Sequence, residues 1–215
     1  VGIMRQGKLV GLSDTKDITE KEIASMMVGR PVLFDKLEKT GVPGETMISV
    51  ENLSVRDNRG LVSVRGVSLE ARAGEVLGIA AIEGNGQSEL LEAITGMRPA
   101  IEGRVRIRGT DALGLSPGQI RQLGLAHVPE DRLATGVDPL ADVADNLIAG
   151  RQREREFNIP GLHLRRSSIE RYVSEVYKKF DIRGAGIHTP VGSMSGGNMQ
   201  KVVIAREFSH ETPVL

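Results

Sequence analysis

The stretch GIAAIEGNGQSELLEAITG, residues 78–96, decides how the rest of the chain is read. Val76, Leu77 and Ile79 lead into it as a strand-like apolar run, and Leu90, Leu91 and Ile94 leave it at helical spacing. Strand, small-residue turn and helix, in that order, frame a phosphate-binding loop, in which backbone N–H groups and a helix N-terminus converge on an anion. Such a loop reads G-x-x-x-x-G-K-[ST]; the lysine neutralises phosphate oxygens and the hydroxyl holds Mg²⁺. Here the frame is Ala81-x-x-x-x-Gly86-Gln87-Ser88, so the second glycine and the hydroxyl match while the first glycine and the lysine do not. Gly84 adds a small residue at the crown of the loop. A dinucleotide-binding reading of Gly84-x-Gly86 fails, because Glu89 stands where the third glycine belongs. Alone, the stretch leaves a nucleotide site and a structural turn both open.

Composition narrows the setting. The chain has 215 residues, 40% hydrophobic and 26% charged, which suits one or two globular domains with a sizeable core. No apolar run approaches the roughly 20 residues that span a bilayer, and VGIMRQGKLVG at the start lacks the apolar core of a secretory signal. The 28 basic and 28 acidic residues cancel, so no global field recruits nucleic acid or a membrane surface. Cysteine is absent, which excludes disulfide and thiol chemistry and fits a reducing compartment. Glycine, at 26 residues, is the one excess, and several of these glycines fall in the motifs.

Outward from the loop, the chain changes texture twice. Residues 1–12 read as strand and turn, and Thr19 with Glu22 makes a capping box before a short helix carrying Ile23, Met26 and Met27. PVLFDKLEKTGVPGET, 31–46, reads as a linker. A strand and helix this short bury no core alone. Residues 1–46 are therefore expected to be the tail of a preceding module, with an N-terminal ornament as the alternative.

A new unit begins near Met47. MISVENLSV and LVSVRGVSLEARAG are β-rich, and Val64, Gly66 and Ser68 are expected on one face with Val67, Leu69 and Ala71 on the other. EVLGIAA, 75–81, is expected to be a covered strand of a parallel sheet. Gly96 suits the C′ position of the helix after the loop. In GRVRIRG, Val105 and Ile107 point inward and three arginines outward, as on an edge strand. Ser116 and Pro117 suit N-cap and N1, and GLAHV, 124–128, reads as a short strand. Ile169, Val173, Val176 and Phe180 then form a helical stripe, read as core packing. The charged run RQRERE, 151–156, reads as a solvated face, with a protein contact as the alternative. A last helix ends in PVL, a strand just beginning, so both ends look cut.

The second motif is MSGGNMQK, residues 194–201, where Ser195, Gly196 and Gly197 precede an amphipathic helix. A serine and two backbone amides at a helix start form a further anion site, although a plain N-cap would also explain an isolated serine. Its distance from the loop, about a hundred residues across a helical insertion, makes the pair informative. With both motifs in place the chain resembles an ATP-binding cassette of ABC transporters. More narrowly, it resembles the second cassette of the tandem ATPase subunits that drive uptake of simple sugars and nucleosides. The signature there typically reads L-S-G-G-N-Q-Q-K, and the second cassette's loop commonly carries a non-lysine residue before [ST]-E-L, as Gln87-Ser88-Glu89-Leu90 does. HVPEDR, 127–132, resembles the Q-loop segment, with Glu130 near the usual glutamine. The resemblance covers about 47–215, and MRQGKLVG and MMVGR in residues 1–46 resemble the end of a first cassette.

The resemblance implies an α/β fold: a P-loop NTPase-type ABC cassette core with a small antiparallel β subdomain and a helical subdomain at about 113–192, cut before the Walker B strand. It implies ATP and Mg²⁺ as cofactors. The degenerate loop would be Glu83, Gly84, Asn85, Gly86, Gln87 and Ser88, with Ser88 toward the metal; the signature would be Ser195, Gly196, Gly197, Asn198 and Gln200. Glu130, Asp131 and Arg132 would transmit to a membrane subunit. No catalytic residue falls inside the chain, since the Walker B aspartate, the acidic residue after it and the switch histidine would lie beyond Leu215. The strand ENLSVRDNRG offers no aromatic platform for adenine. The four histidines, His127, His163, His188 and His210, lack metal-ligand spacing and read as surface or structural.

Cassettes of this family pair head to tail, so the signature would close over ATP held by the first cassette, while residues 81–88 would form a second, weaker site. The implied partners are that first cassette of the same polypeptide, membrane-spanning permease subunits and, indirectly, a solute-binding protein, with no nucleic acid. The implied location is peripheral, at the cytoplasmic face of the cell membrane. An energising importer subunit is the leading expectation, its solute a sugar or, with a slight preference, a nucleoside. A soluble non-transport ABC ATPase and a regulatory nucleotide-binding module are the alternatives.

Overall fold

The computed structural model describes residues 1–5, 7–29, 41–82, 84–159, 163–209 and 212–215. The chain forms two compact units, Val1–Val42 and Pro43–Leu215. In the first, β1 (Gly2–Arg5) pairs antiparallel with β2 (Lys8–Leu12), and α1 (Glu20–Val28) follows. The capping box forms as the sequence predicts: the Glu22 amide donates to Thr19 Oγ1 at 3.3 Å and the Thr19 amide to the Glu22 carboxylate at 2.8 Å. Gly29, left-handed at φ 79°, ends the helix. Most of the linker reading at 31–46 falls on residues 30–40, outside the described residues.

The second unit runs β3 (Thr46–Arg56), β4 (Val62–Arg72), α2 (Gln87–Ile94), β5 (Ala100–Ile107), β6 (Thr110–Asp111), α3 (Pro117–Gln122) and α4 (Val143–Leu147). It continues with β7 (Asn158–Ile159), β8 (His163–Leu164), α5 (Arg166–Lys179) and α6 (Gly196–Phe208). The main sheet has the order β4-β3-β5-β6 and every pair in it is antiparallel. Val105 and Ile107 are buried, as expected. α3 starts on a second capping box, with the Gln119 amide donating to Ser116 Oγ and Pro117 in the first turn.

Three strand expectations need correcting. Between the pairs Leu53↔Val67 and Val55↔Val64, β4 takes three steps while β3 takes two. The extra residue is a bulge at Gly66, which sits at φ 58° and donates its amide to Ser54 Oγ at 3.0 Å. One added residue flips the face of everything beyond it. Val64 is therefore buried on the side of half-buried Val67, Leu69 and Ala71, not with exposed Gly66 and Ser68.

The second correction concerns 75–81, which joins no ladder; Val76 is 96% exposed and Ile82, just beyond, 78%. A strand exists only through a neighbour that takes up its N–H and C=O groups, and no described strand offers itself to this one. GLAHV likewise reduces to one parallel bridge, Leu125↔Val214, with the Ala126 amide donating to Val214 O at 2.8 Å. An apolar run says that a strand needs cover, not which neighbour supplies it.

Two apolar clusters organise this unit. One gathers Val50, Leu53, Val55, Leu90, Ile94, Val105, Ile107, Ile120, Leu125 and Val214 around the sheet, α2 and α3. The other gathers Val143, Leu147, Phe157, Ile169, Val173, Val176, Val202 and Val203 around α4, α5 and α6. Ile169, Val173 and Val176 are buried and Phe180 packs beside them, so the stripe is core packing. In the run 151–156 only Arg151 departs from a solvated face. Its guanidinium lies 5.0 and 4.9 Å from the ring centroids of Phe157 and Tyr172 and is bridged to Glu154.

Candidate functional site

The loop before α2 is built on a glycine with no substitute. Gly86 is the N-cap, left-handed at φ 98°, and a Cβ there would stand 2.8 Å from the Ser63 carbonyl oxygen of β4. Only glycine adopts this backbone and lets the loop lie this close to the sheet. Gly84 is also left-handed, at φ 85°. The two together turn the chain sharply into α2, whose first amides have no helical partner. Among the described residues no side chain caps this helix start.

Gln87, where a phosphate loop carries lysine, is folded back onto its own loop. Its Nε2 donates to the Ile82 carbonyl at 3.2 Å and its Oε1 accepts from the Asn85 amide at 3.1 Å. The side chain thus braces the turn and occupies one of the amides a phosphate would use. Ser88 is exposed one residue into the helix. Glu83 lies outside the described residues, as does His210.

At the other motif, Ser195 is the N-cap of α6 and exposed, yet its hydroxyl makes no capping bond. Instead Asn198 Nδ2 donates to Ser195 Oγ at 2.9 Å while Asn198 Oδ1 accepts from the Arg183 amide at 2.9 Å. Asn198 therefore holds the serine in place, and the amides of Gly196 and Gly197 lie in the first turn, where the helix offers them no carbonyl. Met194 and Met199, on either side, are buried in the helical core and anchor the segment. Gln200 is exposed, and Lys201 donates to Asp181 Oδ2 at 3.0 Å. Arg183 and Lys201 together hold the exposed Asp181 carboxyl below the usual carboxylate range.

The structure brings this motif together with the segment 130–132. Asp131 caps the wide helical turn Arg132–Gly136 by accepting from the Leu133 and Ala134 amides at 2.9 and 3.0 Å. Arg132 reaches the start of α6, where a Cβ on Gly196 would lie 2.8 Å from its Nη2. Arg132 Nε is buried there with no hydrogen-bond partner among the described residues. Glu130 is exposed.

One cluster escaped the sequence reading. Glu207, 0% exposed near the end of α6, accepts from Arg121 Nη1 and Nη2 at 2.9 and 3.1 Å, from Arg206 Nε at 2.8 Å and from the His127 amide at 3.3 Å. Burial raises this carboxyl, but the hydrogen bonds and charges of Arg121 and Arg206 outweigh it and hold it below its ordinary value. Burial lowers the half-buried His127 imidazole, against the opposing charge of Glu207. The available signal was helical spacing: Met199, Val202 and Val203 set a buried face that continues to residues 206 and 207. Among the described residues no cluster of His, Asp or Glu could hold a metal ion, and no helix is long and apolar enough to cross a membrane.

The ABC transporter family model matches residues 64–215. The guanosine import ATP-binding protein NupO of Bacillus subtilis is 33% identical over 215 residues, all of this chain and 42% of its own length. The glucose import ATP-binding protein TsgD13 of Haloferax volcanii is 36% identical over 217 residues, again all of this chain but 39% of its own. The chain thus spans about two-fifths of the length of these curated relatives. A nucleotide-free ATP-binding cassette from an ABC transporter superposes with a TM-score of 0.56 at 25% identity, over 76% of this chain and 64% of that one. A cassette dimer bound to ADP and phosphate superposes at 0.58, with 20% identity over 76% of this chain and 69% of that one, which speaks for the fold alone. The family model covers well over half of the chain, and the chain belongs to the ABC transporter family of ATP-binding cassettes.

Proposed function

We propose that this chain is part of an ATP-binding subunit that energises ABC-type import of a simple sugar or nucleoside at the cytoplasmic face of the membrane. The observation that carries the reading is the contrast between two helix starts in one unit: a loop before α2 whose Gln87 is spent on its own backbone, and an exposed Ser195 held ready at α6. In this reading Ser195, Gly196 and Gly197 complete the ATP site of a first cassette on the same polypeptide, with permease subunits as membrane partners and a solute-binding protein as an indirect one. The names of the relatives favour nucleoside or simple-sugar cargo.

The residues fit a polyphosphate in part. The Gly86 cradle, which a Cβ would fill, and the uncapped α2 amides suit an anion, and Ser88 supplies one hydroxyl toward Mg²⁺. The missing lysine removes a charge-assisted contact worth roughly 1.5–3 kcal/mol. Nucleotide binding at this loop is therefore weak and turnover slow or absent. ATP hydrolysis by the full-length subunit with its permease tests the assignment: Ser195→Ala should remove most activity and Ser88→Ala little. The reverse pattern sinks it. Hydrolysis without any solute uptake would instead favour a soluble or regulatory ATPase.

A further inference from the structure

The unit 43–215 has two apolar cores, and one buried carboxylate holds groups from both. Arg121 belongs to α3, whose Ile120 packs in the sheet-side core. Arg206 belongs to α6, whose Val202 and Val203 pack in the helical core, and its Nη1 donates to the Gly136 carbonyl at 2.9 Å. The His127 amide opens the segment that leads to Glu130, Asp131 and Arg132. Four donor contacts reach Glu207 Oε1 and Oε2, which fills the roughly four lone-pair sites a carboxylate offers. A carboxylate saturated in this way cannot turn without breaking a charged bond. The stability argument for it is weak, since apolar groups of like volume serve a core at least as well. What the arrangement supplies is a fixed orientation.

We infer that Glu207 is a positioning residue that sets the signature helix α6, and with it Ser195, against the sheet side and the segment 127–136. Two contacts then hold the Arg132–Gly136 turn along α6, Arg206 on Gly136 O at one end and Arg132 beside Gly196 at the other. The inference rests on the importer reading above. Its consequence is that loosening Glu207 separates ATP hydrolysis from transport while ATP binding persists.

The test uses the full-length subunit reconstituted with its permease, guanosine and galactose serving as probe solutes. Glu207→Gln leaves an amide N–H₂ facing guanidinium donors, and solute uptake per ATP hydrolysed should fall about fivefold or more, the scale of a typical coupling free energy, with KM for ATP unchanged. The double variant Arg121→Met/Glu207→Gln removes one cation and one anion together and keeps an acceptor for Arg206, so it guards against loss of fold. A double variant with the wild-type melting temperature but the same uncoupling supports positioning. Wild-type coupling in the double variant overturns the inference, as does a fall in uptake and hydrolysis in equal proportion. If the wild-type subunit takes up neither probe in an ATP-dependent way, the importer reading fails, and the inference falls with it. That outcome is distinct from wild-type uptake that Glu207 variants leave coupled.

Discussion

The unit presents two helix starts of the same physical kind, and they are supported in opposite ways. α2 is reached through 75–82, a run with no ladder partner among the described residues and with Val76 and Ile82 largely exposed. Its loop is satisfied from within, by Gln87 bridging Ile82 O and Asn85 N. α6 is supported along its length, by Met194, Met199, Val202 and Val203 in the core and by the charge cluster at Glu207. Its serine is held from the side by Asn198 rather than turned into the helix. A helix N-terminus attracts an anion wherever it stands. The surrounding packing decides whether its groups are spent locally or kept for a partner.

The comparison breaks most readily at Glu207. Replacing it by Ala leaves Arg121 and Arg206 without their carboxylate, the latter 9% exposed, and removing one member of a buried pair costs about 3–5 kcal/mol. Urea or thermal unfolding of the chain should show this loss. The pH dependence has a fixed sign. The Glu207 carboxyl is held below its ordinary value by Arg121 and Arg206, against the effect of burial, so its contribution is full above the unfolded carboxylate value and is lost as pH falls through the lower folded one. Acid unfolding of the wild type should steepen in that window, and Glu207→Gln should flatten it.

The smaller step acts on the other helix start. Gln87→Lys removes the brace on Asn85 and Ile82 and restores a cation at the phosphate loop. Nucleotide affinity at this loop should rise by about 1.5–3 kcal/mol, the scale of a charge-assisted contact. Binding of a fluorescent ATP analogue to the full-length subunit, with the first site blocked, reads it out. An unchanged affinity would mean that the loop's weakness lies elsewhere than in Gln87.

What the sequence made legible is tied to local chemistry. The capping box at Thr19–Glu22, the Ser116 N-cap with Pro117 in the first turn, and the Gly96 turn after α2, at φ 75°, form where the residues point to them. Turn and cap chemistry spans only a few residues, so one sequence carries it. The bulge at Gly66 was not legible, because the insertion shows only against the partner strand β3. The ladder expected of 75–81 failed for the same reason, since pairing is a property of two segments. The Glu207 cluster joins residues 86 and 80 positions apart in sequence, Arg121 and His127 to Glu207, and nothing local announces such a pairing. Gln87 was visible as a missing lysine, but its hold on the loop was not.

The finest test of the comparison sets two N-cap serines side by side. Ser116 Oγ accepts from the Gln119 amide within a full capping box, so Ser116→Ala should cost about 1 kcal/mol of stability. Ser195 makes no such bond, and among the described residues its hydroxyl bonds Asn198, which keeps the Arg183 amide as a partner after truncation. Ser195→Ala should therefore leave the unfolding midpoint within a few tenths of a kcal/mol of wild type. A serine that stabilises its helix and a serine kept for a partner would then differ in stability cost alone, at the same N-cap position and with the same substitution. A loss at Ser195 equal to that at Ser116 would return it to the role of an ordinary cap, and the asymmetry between the two helix starts would lose its strongest support.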